Sequence, residues 1–203
     1  HKAIRRQRQM CIRDSSFTEE MNDLPPTLND IDARLYFTLL SARKTAYALV
    51  QDSTKPLARC LAELLDFAEE LQGQIGALPT VTEKMDFRSV FQNPELINPQ
   101  WPEKVAAGDL TVPVGESHFG RQIAMYFLFR YFLNLGLEGD VVSAAKMAVV
   151  GVLVPTYFGT DSWVMHLWSK ETEHSDVNME RYRRLLCTAD CLSVPALKSR
   201  LDT

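Results

Sequence analysis

Glu171, Glu173 and His174 stand within four residues of one another in the stretch Ser169 to Ser175, SKETEHS. Carboxylates and imidazoles are the side chains that exchange protons most readily, so three of them around one substrate would suit general acid–base chemistry. The same residues equally suit a solvated helix end, because Lys170 and His174 lie one turn apart where a helix C-terminus favours positive charge. Arg130 is the second group of interest, set among Phe127, Phe129, Tyr131 and Phe132. A guanidinium in such company must reach water, stack on a ring or pair with a carboxylate, since an unpaired buried charge is too costly. Glu173 or Glu171 is the expected partner. Such a pair either fixes two helices or, with Tyr131 beside it, presents the guanidinium to a small-molecule carboxylate. Were it buried, breaking it would cost roughly 3 to 5 kcal/mol.

Metal chemistry has weaker support. Of the four cysteines, Cys11 lies in a basic N-terminal stretch, Cys60 among leucines, and Cys187 and Cys191 four residues apart. Helical spacing would put the last pair on one face, but a metal site needs three or four ligands and no His or Cys set converges beside them. The expectation is therefore no metal site and ordinary thiols in a reducing cytoplasm. His118 at a helix start and His166 between Trp163 and Trp168 read as capping or core-edge residues.

The 203 residues are 46% hydrophobic and 24% charged, which suits one ordinary globular domain with a sizeable core. A net charge of -4 with a pI near 5.6 argues against non-specific nucleic-acid binding and would suit a basic protein partner. Arg5 to Ser15 (RRQRQMCIRDS) resembles a translated sequencing-library adapter. Residues 1–15 are read as adapter-derived or disordered, with a basic nucleic-acid-binding arm (Lys2, Arg5, Arg6, Arg8, Arg13) as the rival reading. Ile123 to Leu135 is too short for a membrane span and carries Arg130, while Val141 to Phe158 contains Lys146 and Pro155; both read as central helices of a bundle.

Residues 16–203 are expected to form an all-α domain, a bundle of five to six helices. Thr27 and Asp30 mark the first start, followed by the stripe Ile31, Leu35, Leu39, Ala42, Ala46 and Leu49. Ser53 or Thr54 can cap a second helix with Pro56 in its first turn and a stripe from Leu57 to Ile75, and the short connection predicts an antiparallel hairpin. Between residues 76 and 115, Pro79, Pro94, Pro99, Pro102 and Pro113 forbid a long helix. That stretch predicts a long loop, a lid or partner-contacting arm, pinned by Phe87, Phe91 and Trp101. Ser117 caps a third helix, a fourth begins near Asp140, and a fifth starts at Asp161 or Ser162, breaks near Ser175 and continues to Leu186.

Three stretches in this order resemble the C-terminal half of the flagellin lysine-N-methylase family. They are Phe127 to Leu133 (FLFRYFL), the small-residue apolar run Ala144 to Val154, and Ser169 to Ser175, with Lys170 where arginine is common. A weaker match runs from Ala42 to Gln72, so the similarity covers most of residues 28 to 190.

The resemblance implies methyl transfer to the ε-amine of flagellin lysines from S-adenosylmethionine. It also implies an iron-sulfur or other metal centre held by a cysteine cluster lying N-terminal to such a half. None of Cys60, Cys187 or Cys191 matches that cluster, and no strand followed by a glycine-rich loop is present to hold the methyl donor. A lysine amine attacks a methyl sulfonium only when neutral, so Glu171, Glu173 and His174 become the candidate catalytic groups and Arg130 with Tyr131 the candidate methyl-donor contacts. The expected function is a C-terminal part of a protein-lysine N-methyltransferase, inactive alone, or else a helical docking module without catalysis.

Overall fold

The run Val141 to Phe158 has no polar face to offer water, and that property organises the fold. In the computed structural model it is a helix buried on every side, with Lys146 and Ser143 enclosed along with its aliphatic residues. The structure describes residues 30–77, 80–160 and 162–202, so the readings of Thr27 and of residues 1–15 lie outside the described residues. The chain divides into His1–Leu35 and a larger unit, Tyr36–Thr203.

Eight α-helices are present among the described residues: α1 (Asp30–Gln51), α2 (Leu57–Ile75), α3 (Gln100–Ala107), α4 (His118–Leu137), α5 (Val141–Phe158), α6 (Ser162–Glu173), α7 (Asp176–Thr188) and α8 (Val194–Leu201). The all-α expectation holds, and no strand forms among these residues; one isolated bridge joins Glu83 to Ala189. The helix number exceeds the expected five to six because α3 and α8 are short. Ser193 caps α8, with Pro195 in its first turn, the ordinary signature of a helix start.

α5 packs against α2, α4, α6 and α7. Asp140 Oδ1 caps it by accepting from Ser143 N at 2.9 Å, and Gly139 makes the preceding turn at φ 87°, a conformation that favours glycine. The buried amide of Gln72 ties that turn to α2: Nε2 donates to Gly139 O at 2.7 Å and Oε1 accepts from Val141 N at 3.0 Å. Val141 to Phe158 is also the one described helix long and apolar enough to cross a membrane, and 94% of it is buried against its neighbours.

The α2 start differs from the expected cap. Neither Ser53 nor Thr54 caps it; Pro56 stands at the N-cap, and Glu116 accepts from Leu57 N at 2.9 Å from 59 residues away. Arg121 completes the joint by donating to Val50 O at 2.6 Å and Lys55 O at 2.8 Å while its Nε holds Glu116 at 2.8 Å. Glu116 beside it raises the Arg121 pKa further above its ordinary value. One buried guanidinium thus satisfies the α1–α2 turn and fastens it to the head of α4.

The stretch from 76 to 115 is not a structureless loop. It contains a 3-10 turn, Arg88–Phe91, as well as α3. Phe87, Phe91 and Trp101 are buried as anchors, meeting Tyr157 and Phe158 of α5 edge-on at centroid distances of 5.0 to 5.9 Å. Arg88 Nη2 donates to Gly108 O at 2.6 Å, and Asp109 N donates to Tyr157 O at 2.9 Å. A Cβ on Gly108 would sit 2.3 Å from Phe158 Cδ1 and 2.7 Å from Tyr157 O, and the second is backbone that cannot turn aside. Gly108→Ala is expected to lower stability by about 1 to 3 kcal/mol, read as a lower denaturation midpoint; an unchanged midpoint would mean that this segment is not seated on α5.

Candidate functional site

Glu173 closes the last turn of α6 facing α4, and its carboxylate collects donors from both helices. Arg130 Nε lies 2.8 Å from Oε1, Tyr131 Oη donates to the same oxygen at 2.5 Å, and Ser169 Oγ donates to Oε2 at 2.6 Å. Tyr126 Oη stands farther off, 3.4 Å from each oxygen. Arg130 Nε also donates to Tyr131 Oη at 3.0 Å, so the three side chains form a closed triangle. Arg130 therefore has one of the two partners expected for it.

The burial of this pair is lopsided: the Glu173 side chain is 6% exposed and that of Arg130 43%. The pair is therefore not the buried one on which the larger cost depended, and solvent screening brings its expected worth to about 1 kcal/mol. Burial works against the Arg130 charge, but Glu173 and the Tyr131 hydroxyl outweigh it and raise the pKa. Burial, with Glu173 adding to it, pushes the Tyr126 phenol up to about 12 and drives the Tyr131 phenol higher still. Both phenols therefore stay protonated near neutral pH and act as donors to the carboxylate.

Glu171 does not join them. Two residues along a helix turn the side chain by roughly 200°, and Glu171 points to the segment before α3. Fully buried, it accepts from Asn98 N, while Asn93 Nδ2 lies 3.5 Å from its other oxygen. Its backbone carbonyl accepts from buried Asn178 Nδ2 at 2.7 Å, and the same amide group brackets Glu95 through Glu95 N at 3.0 Å and Glu95 O at 2.8 Å. His174 is exposed in the turn between α6 and α7. The three candidate catalytic residues thus face three different surroundings, and only Glu173 meets Arg130 and Tyr131. Tyr126 and Ser169 were missed from the sequence, although each stands four residues before a partner in the cluster, Arg130 and Glu173 respectively, the spacing that makes helical neighbours.

Cavities lie elsewhere. One of about 540 Å³ is lined by Leu57, Val112, Glu116, Phe119, Val152 and Pro155 among others, and one of about 550 Å³ lies between Phe37, Ser41 and Thr45 of α1 and Phe67 and Leu71 of α2. Arg130 and Tyr131 line neither of these two cavities.

Among the described residues no three His, Cys, Asp or Glu side chains gather as metal ligands. Cys187 and Cys191 do not share a helix face, because α7 ends at Thr188 and Cys191 falls in the 3-10 turn Asp190–Leu192. Cys187 Sγ donates to Asp140 Oδ2 at 3.2 Å, and nearby Lys146 Nζ donates to Leu186 O at 2.6 Å. Burial raises the Cys187 thiol pKa, pushes that of Cys191 up to about 11 and lowers that of the Lys146 amine. Cys187 and Cys191 offer two thiols with no third ligand gathered beside them among the described residues, fewer than the four an iron-sulfur cluster takes.

No family model, curated protein or solved structure matches the chain.

The two tyrosines differ in a way that can be measured. Tyr131→Phe removes a short donor from a largely buried carboxylate and is expected to cost about 1 to 2 kcal/mol, whereas Tyr126→Phe should cost under about 0.5 kcal/mol. Urea denaturation of both variants distinguishes them, and equal losses would contradict the cluster.

Proposed function

We propose that this chain is the C-terminal helical half of a protein-lysine N-methyltransferase of the flagellin lysine-N-methylase type, and that it transfers no methyl group by itself. One observation carries the reading. Two of the three stretches that resemble that family, Phe127 to Leu133 and Ser169 to Ser175, are far apart in sequence yet meet at the Arg130–Tyr131–Glu173 triangle. A resemblance resting on two separate segments gains weight when both build one polar cluster on the flank of a buried helix.

Within this reading the cluster positions and does not catalyse. The Glu173 oxygens already accept from Tyr131 and Ser169 and pair with Arg130, so taking a proton from a substrate amine would break interactions that hold α4 to α6. Glu171 is likewise engaged with the segment before α3. His174 is exposed and, among the three candidates, the one an incoming lysine can approach. S-adenosylmethionine and the metal centre belong, in this reading, to the cysteine-bearing half.

The alternative, a helical docking module without catalysis, is favoured by the exposed aliphatic side chains that Glu171 and Asn178 hold in place, Leu96 and Ile97. Flagellin incubated with S-adenosylmethionine and either the chain alone or the chain with a flagellin methylase's cysteine-bearing half separates the readings by mass spectrometry. Methylated lysines are expected from the pair only. Methylation by the chain alone would overturn the claim of inactivity, and none from the pair would favour the docking module.

A further inference from the structure

The segment from Asn93 to Asn98 is held more firmly than its exposed position requires. Buried Glu171 fixes Asn98 N and Asn93 from α6, and buried Asn178 fixes both backbone polar groups of Glu95 from α7. Ser175 Oγ adds a bond to Glu95 Oε2 at 2.5 Å. Burying a carboxylate and an amide is costly unless they are hydrogen-bonded. Here those bonds immobilise a short span whose two large side chains face solvent: Leu96 is 58% exposed and Ile97 42%.

Their surroundings extend the apolar surface. Val177, next to Asn178 in the first turn of α7, is 49% exposed. Exposed aliphatic side chains grouped on a fixed segment mark an interaction surface more often than scattered single ones do. Carboxylates accompany them. Glu95, Asp176 and Glu180 are exposed, none has an ion-pair partner among the described residues, and Asp176 and Glu180 stand one turn apart beside Val177.

We infer that Leu96, Ile97 and Val177, flanked by Glu95, Asp176 and Glu180, dock a lysine-bearing protein segment that carries apolar side chains between its lysines. The aliphatic side chains supply the buried contact. The carboxylates select cationic partners and speed their arrival. The pre-fixed backbone removes most of the ordering cost that a mobile loop would pay. This inference deepens the methylase reading by assigning the protein substrate a surface, and it rests on that reading only for the identity of the natural partner.

Fluorescence anisotropy tests it with two probes, purified flagellin monomer and a labelled helical peptide of lysine and leucine, each titrated with the whole chain. Leu96→Ser with Ile97→Ser, which alters exposed side chains only and is checked by an unchanged melting temperature, is expected to weaken both probes by about tenfold or more. Glu95→Gln, Asp176→Asn and Glu180→Gln together should weaken binding at low salt and flatten its salt dependence. If the peptide binds through the patch and flagellin does not, the surface stands and the flagellin reading falls. If flagellin binds the serine variant as it binds the parent, the surface is wrong and the flagellin reading stands. Binding of neither probe, equal binding of a glutamate-for-lysine peptide, or self-association of the chain lost on the serine substitutions would each overturn the proposal.

Discussion

A helix that is apolar on every face must be surrounded, and α5 imposes that demand on the rest of the chain. Burying its valines, leucines and aromatics is favourable by roughly 1.5 to 3 kcal/mol per large side chain, so neighbours compete to cover it and its polar residues must be satisfied inside. Lys146 finds Leu186 O, Ser143 lies against Cys187, and the Val141 backbone is met by Gln72. With α4 on one flank and α6 on another, residues at matching heights on those helices come face to face. Glu173 and Arg130 meet for this reason. They are joined by the packing around α5 and then contribute to its precision.

α6 serves two masters. Its Glu173 side faces α4 and its Glu171 side faces the segment before α3, so one short helix carries two polar braces at its end. Such an arrangement keeps the α6–α7 turn, with exposed His174, in a defined position relative to the displayed Leu96 and Ile97.

Much of this order is legible in the residues. Periodicity places α1 and α2, unbroken apolar runs place α4 and α5, Ser117 marks the start of α4, Asp140 that of α5 and the break near Ser175 that of α7, and the charge on Arg130 demands the partner it has. What stays hidden depends on distance along the chain. No local rule links Glu116 to the head of α2 across 59 residues, or Glu171 to Asn98 across 73. A local cap at Ser53 or Thr54 was the natural reading because a partner so remote leaves no periodic trace. The prolines between 76 and 115 correctly exclude a long helix, yet they permit an eight-residue one, since Pro102 sits in the first turn of α3, where its missing N–H is not needed.

A double-mutant cycle on Arg130→Met and Glu173→Gln, followed by denaturant unfolding of the four proteins, measures whether α4 and α6 are joined where the structure joins them. A coupling of about 1 kcal/mol is expected for a pair with one buried and one half-exposed partner. Strict additivity of the two substitutions would contradict the meeting of the two segments on which both the fold of this flank and its proposed function depend.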